Sequence, residues 1–220
     1  GQVTLGTTIA NATAAKNLVL IGDQMQLSQP MRAKHEGYAK LSSLDFVLEN
    51  NDTIPPDKGI FLNITRRLNK KICNYISTSF YDSRLSSDPI TETRSVNLKL
   101  DPIKDEGLFY VPIEHSGCSQ RSDEEADLIE KIYNRIIKKE FKVDKKLSKI
   151  SSKDIMVVAP YNAQANNIRE RLKKKNDDVR VGTIDLFQGQ EAKVVLISMT
   201  SSDVESLPRH KDFFFSRNRL

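Results

Sequence analysis

The sequence has little cysteine, little histidine and no long apolar run, and each shortage excludes something. Cys73 and Cys118 are its two cysteines in 220 residues. They lie far apart and follow no metal-ligand spacing, so they read as reduced cytosolic thiols. His35, His115 and His210 are scattered, and no metal cluster is expected. No apolar stretch approaches the roughly 20 residues that a membrane-spanning helix needs. The N-terminus lacks a basic–apolar–small targeting pattern, and no repeat of fixed period occurs. The chain opens at Gly1-Gln2, as a piece of a longer protein would.

What is present is charge and a regular alternation of structure. Thirty-four Lys and Arg against 29 Asp and Glu give a net charge of +5, and 38% of residues are hydrophobic, enough for a buried core. The length suits one ordinary domain, or one domain with part of another. The positive balance fits a nucleic-acid partner. Basic residues crowd into Lys131–Lys149 and Arg169–Lys175, mainly on expected helices. They form either solvated helix faces or a phosphate track.

Leu18-Val-Leu-Ile21 is a short apolar run before Gly22-Asp23 and reads as a buried strand delivering a polar loop. Residues 31–59 lack strong periodicity, and Pro55-Pro56 and Gly59 mark a break. Strands are expected at Ile60–Ile64 and Leu108–Ile113, with a helix over Asn69–Phe80 between them. Ser122-Asp-Glu-Glu125 is a capping box. It opens a helix with Ile129, Ile132, Tyr133, Ile136 and Ile137 on one face. Asp154–Ala159 is a buried strand, followed by a helix with Ala165, Ile168 and Leu172 aligned. Arg180–Ile184 and Val194–Met199 are two more strands. This alternation implies an α/β fold with a mainly parallel sheet covered on both faces, whose chemistry lies at the C-terminal strand ends.

Four polar motifs fall at such ends. In Gly22–Pro30, Asp23 can cap the turn, and the amides of Gln24 and Gln26 can sense a terminal phosphate without adding charge. An ordinary polar turn accounts for it equally. In Thr65-Arg-Arg-Leu-Asn69, Arg66 and Arg67 offer planar donors matched to phosphate oxygens, or else make surface ion pairs. In Ala159-Pro-Tyr-Asn-Ala-Gln164, Tyr161 either stacks on a base or closes an apolar seam. In Val181–Glu191, the Thr183 hydroxyl suits a nucleic-acid phosphate and Asp185 suits a cap. Gly189 permits close backbone approach. Glu191 needs a cation beside it, a place Arg67 can fill. The bland alternative is a polar loop.

In order along the chain, these motifs resemble those of superfamily 1 helicases. Gly22-Asp-Gln-Met-Gln-Leu27 looks like motif III, and Thr65–Asn69 resembles the Tyr-Arg-Met-His element of the branch containing the nonsense-mediated-decay helicase and related replication helicases. Ala159–Gln164 is similar to a Thr-Pro-Tyr-x-x-Gln segment, Val181–Glu191 to motif V, and Arg217-Asn-Arg-Leu220 to the opening of motif VI. The wording is most similar to bacterial members, some of which carry a RecB-like nuclease domain. The resemblance implies a RecA-like P-loop NTPase fold: the tail of a first RecA-like domain at 1–35, a linker at 36–59 and a second such domain at 60–220, cut within motif VI. It also implies roles. Gln26, Arg67 and Glu191 serve catalysis, and Asp23, Arg66 and Gly189 the nucleotide. Thr183, Tyr161 and Gln188 serve the nucleic acid. Arg66 stands where the family has an adenine-stacking tyrosine, and Asn69 and Lys70 replace its His and Pro.

The same resemblance shows what the 220 residues lack. No Gly-x-x-x-x-Gly-Lys-Thr phosphate loop is present, and the family's Asp-Glu-Ala-Gly-Gln magnesium motif is represented only by Gly1-Gln2. The expected cofactors are therefore ATP with Mg²⁺, the metal ligands lying in a missing N-terminal half. The expected partners are single-stranded nucleic acid, DNA in preference to RNA, and the first RecA-like domain, with no membrane and a cytoplasmic location. The piece alone is expected to be inactive. Two alternatives stay open: a non-catalytic nucleic-acid-binding module, and the motor portion of a helicase-nuclease.

Overall fold

Amphipathic spacing and local caps set the helices. The computed structural model describes residues 3–27, 36–49, 51–96, 98, 103, 106–143, 146–174, 178–203, 205 and 207. Gly1-Gln2, Pro30, His35, His210 and Arg217–Leu220 lie outside them. Contacts divide the chain into two units. One comprises residues 1–65, 73–86 and 214–220, the other 66–72 and 87–213.

The first unit contains α1 (Leu5–Ala12), N-capped by Thr4, and α2 (Ser43–Leu48), which opens on a complete capping box of Ser42 and Asp45. Backbone bonds from Ser43 N to Val3 O (2.9 Å) and from Leu5 N to Leu41 O (3.2 Å) clip the two segments together. The Thr8 and Ser43 hydroxyls meet as well. Strand β1 is short (Ile64–Thr65), as is β2 (Ser86–Ser87), and Ser86 N donates to Asn63 O at 2.8 Å. Helix α3 runs over Lys70–Phe80, and its Cys73, Ser77 and Phe80 are buried.

Two expected strands do not form. Leu18–Ile21 is irregular, with Val19 83% and Ile21 89% exposed. Of Ile60–Ile64, only Ile64 enters a strand. In the second unit, Leu108–Ile113 is likewise irregular. An apolar run becomes a buried strand only where neighbouring strands satisfy its backbone. Among the described residues no strand pairs with Leu18–Ile21 or Leu108–Ile113, and Ile60–Ile64 is met only at its end, near Ser86.

The second unit is built on a parallel sheet in the order β7-β6-β8, with β6 at Ile155–Val158, β7 at Arg180–Gly182 and β8 at Val194–Ile197. Val157 sits opposite Val181 on one side and Leu196 on the other. Helices α4 (Asp123–Ile136) and α5 (Asn162–Lys173) pack on one face, where Ile129, Tyr133, Ile136, Ile168 and Leu172 meet Ile155, Val157 and Val181. The expected cover on both faces is not met at β8. Val195 and Ile197 on its other side are exposed, because no helix among the described residues lies over them.

An antiparallel sheet β3-β4-β5, absent from the sequence reading, joins this core through Val96 and Phe141. It consists of Ser95–Val96, Glu140–Val143 and Lys146–Lys149. The basic run expected mainly on helix is therefore corrected: α4 ends at Ile136, and Glu140–Val143 and Lys146–Lys149 are paired antiparallel strands.

Candidate active site

Asp23 begins the first motif as a hydrogen-bond hub. Its Oδ1 accepts from Met25 N at 3.0 Å, closing the turn. Its Oδ2 accepts from Gln26 Nε2 at 2.9 Å and from Tyr81 Oη at 2.6 Å. Burial, then the bond to Asp23, pushes the Tyr81 phenol well above its ordinary range, so it remains a donor. Gln24 Nε2 donates to Asp52 O at 2.5 Å. Asp23 thus caps the turn and steadies the Gln26 amide.

In the second unit, the arginine motif and the Val181–Glu191 motif come together. Arg67 Nε donates to Glu191 Oε2 at 2.8 Å across 124 residues of sequence. Both side chains remain more than half exposed, 57% and 68%. Arg66 Nε pairs with Asp88 Oδ2 at 3.2 Å. The Ile90 backbone N–H and the Arg66 guanidinium hold the Asp88 carboxyl below its usual range against some desolvation. Arg94 Nη1 donates to Arg66 O at 3.1 Å, fixing the turn before α3. Asn69, at the family's His position, accepts from Ile72 N at 3.0 Å and so caps α3.

The Glu191 loop is tied down by Arg180, which sequence reading passed over. Its Nη1 donates to Glu191 O (3.1 Å) and Lys153 O (2.8 Å), and its Nη2 to Gln190 Oε1 (2.9 Å). An arginine opening a strand was the signal available. Gly189 adopts φ 76°, the left-handed region where a side chain is strained. Gln188 beside it is exposed. Thr183 follows β7 directly and is the N-cap residue of a 3₁₀ turn over Ile184–Phe187. Asp185, expected as a cap, lies inside that turn.

Tyr161 is 5% exposed, within the buried set, which favours the apolar seam of its two expected uses over base stacking. Gln164, at the end of the motif, is fully buried. Its Oε1 accepts from Ser122 N at 2.9 Å, and its Nε2 donates to Ser122 O at 3.0 Å and Ser198 Oγ at 3.1 Å. Ser122 caps α4 through Glu125 N at 3.1 Å, but the Glu125 carboxylate does not complete the expected box. It turns inward to accept from Thr200 N (2.8 Å) and Ser198 Oγ, and meets His115 Nε2 at 3.1 Å. Sequence spacing gave no hint of this network.

Among the described residues no group of three or more His, Cys, Asp or Glu is placed to hold a metal ion. The described residues therefore do not make a magnesium site by themselves. The exposed arginines and the glycine turn do fit a polyphosphate, since an exposed ion pair is worth only about 0–1 kcal/mol and yields readily to a stronger anion. No described helix is long and apolar enough to cross a membrane.

A family model described as an AAA domain matches residues 40–219. The chain is 30% identical over 215 residues to the DNA polymerase alpha-associated DNA helicase A of Schizosaccharomyces pombe, covering 92% of this chain and 31% of that protein. The protein of the same name from Saccharomyces cerevisiae is 26% identical, with 89% and 31% covered. The regulator of nonsense transcripts 1 homolog of Drosophila melanogaster is 25% identical, with 86% and 16% covered. The chain thus spans less than a third of each of these relatives.

Proposed function

We propose, from the chain's membership of the AAA domain family and its likeness to superfamily 1 helicases, that it is part of the motor of an ATP-driven translocase. In this reading it moves on single-stranded nucleic acid, DNA in preference to RNA, and separates duplexes. Residues 60–220 serve as the second RecA-like domain, 36–59 as a linker and 1–35 as the tail of the first. The observation that carries the proposal is the Arg67–Glu191 pair, which joins two distant motifs in the open beside the Gly189 turn.

Hydrolysis of bound ATP supplies the free energy for movement. The chain's own residues have narrower tasks. Arg67 exchanges Glu191 for a phosphate oxygen, and Glu191 holds the guanidinium in aim until then. Arg66 offers a flat guanidinium to the nucleotide base, and Gly189 lets the backbone approach. Gln26, steadied by Asp23, reports the terminal phosphate. Thr183 and Gln188 contact the nucleic-acid backbone.

Arg67→Ala in the full-length protein is expected to abolish nucleic-acid-stimulated phosphate release while strand binding persists. Unchanged turnover would remove Arg67 from the site. The 220-residue chain alone is expected to release no phosphate, since its sequence holds no Gly-x-x-x-x-Gly-Lys-Thr loop. Stimulated turnover by that chain would overturn this. Full-length protein that binds a strand but shows no stimulated turnover would instead identify a non-catalytic binding module.

A further inference from the structure

The β4–β5 hairpin carries more positive charge than its fold requires. Lys138, Lys139, Lys142, Lys146, Lys149 and Lys153 are all exposed. Among the described residues none of their ammonium groups has a carboxylate partner. The neighbouring Lys193 shows the contrast: its Nζ is bound to Asp154 at 3.0 Å and lies 4.8 Å from the centre of the Phe141 ring. Register fixes the geometry. Glu140 opposes Lys149 and Lys142 opposes Leu147, so these four share the outer face, while Phe141 turns to the core and Lys146, opposite Val143 on the other side, is exposed at the end of the pair far from Lys138. The base of the hairpin is anchored by Lys138 N to Ile150 O at 2.9 Å and Ile150 N to Lys139 O at 2.8 Å.

Lysines on an edge strand commonly block pairing with another chain, and β5 is such an edge. That explains Lys146 and Lys149. It does not explain Lys142, on the middle strand between β3 and β5, nor Lys138, Lys139 and Lys153 in the flanking segments. Unpaired ammonium groups on an anchored hairpin suit a flexible polyanion, because each phosphate contact releases condensed counterions.

We infer that this lysine hairpin is a second contact for the nucleic-acid backbone, separate from the Thr183–Gln188 segment. The inference rests on the proposed translocase reading. It holds the strand by charge alone and reads no sequence.

The test uses the full-length protein, a fluorescein-labelled oligothymidylate and anisotropy over a series of salt concentrations. With Lys142→Gln, Lys146→Gln and Lys149→Gln combined, the slope of log affinity against log salt should become shallower by about 2, at about 0.7 per single-strand phosphate contact. The Lys-to-Arg triple at the same positions should keep the parent slope. Should the Gln triple fail to fold, Lys142→Gln alone should remove about 0.7 of slope. Parent-like slope and affinity in folded Gln variants would overturn the inference and leave the translocase reading standing. Failure of the Arg triple to keep the slope would also overturn it, since charge would not be the cause. So would hairpin-dependent binding to phosphatidylserine vesicles with none of the slope change on the oligonucleotide. No strand binding by the parent would take down both readings.

Discussion

The two units are held by different forces. In the unit of residues 3–65 and 73–86, α1 buries nothing, and the buried apolar residues among those described are Leu48, Cys73 and Phe80. Cohesion comes from polar clips. Arg84 Nη1 donates to Thr53 Oγ1 (2.7 Å) and Ile54 O (3.0 Å) and lies 4.7 Å from the Phe61 ring centre, and Thr53 donates to Asp82 (2.7 Å). In the unit of residues 66–72 and 87–203, a continuous apolar core joins two helices to two sheets, with a hydrogen-bonded polar network inside it. Regions with few buried contacts open at low free energy, and packed ones only at high. The difference separates the tasks proposed for them. Asp23 and Gln26 sit where rearrangement is cheap, as a sensor needs. Arg67, Thr183 and Glu191 sit in the unit with the rigid sheet, as a platform needs.

Gln164→Ala is the strongest way to break that contrast. It leaves the buried N–H and C=O of Ser122 without Gln164, at a cost of about 1–3 kcal/mol. Arg84→Ala removes an exposed clip and a cation–ring contact, at a cost of about 0.5–1 kcal/mol. Native-state hydrogen exchange reads the two regions separately. Protection of β6 and α4 amides should fall most in the first variant, while the second should affect only amides near Thr53 and Arg84. Equal effects would mean that the polar clips hold as much as the core, and the proposed sensor would be as rigid as the platform.

The packed unit was also the legible one. Ile129, Tyr133 and Ile136 announce α4 by spacing, and the apolar run of β6 with its neighbours announces a parallel sheet. Arg67 beside Glu191 was readable because a carboxylate at a phosphate site needs a cation. Leu18–Ile21 is as apolar as β6 but lacks its neighbours, and composition cannot report whether partner strands exist. Tyr161 left two uses open, and only packing decides between them. Glu125 fitted a capping box by spacing, yet Thr200 N and His115, dozens of residues away or on another segment, claim its carboxylate. Local pattern reads local structure; long-range polar partners leave no periodicity.

The smallest expected effect sharpens the comparison by asking whether charge contributes anything at the edge of the packed unit. Asp154 sits beside the base of the hairpin. Burial pushes its carboxyl up, but the Ser151 backbone N–H, the Ser151 hydroxyl and Lys193 outweigh this and hold it below the ordinary value of 3.8. A carboxyl lowered in the folded state stabilises fully above its unfolded value, and that gain disappears as pH falls below 3.8 through the folded value. Asp154→Asn should therefore flatten the acid limb of thermal stability below that point. At neutral pH it should cost well under about 1 kcal/mol, because solvent screens a pair that is only partly buried. Melting curves taken across the acid range decide it. An Asn variant with the parent's acid limb would show that Asp154 contributes no pH dependence, and the unit's cohesion would then be apolar up to the hairpin base.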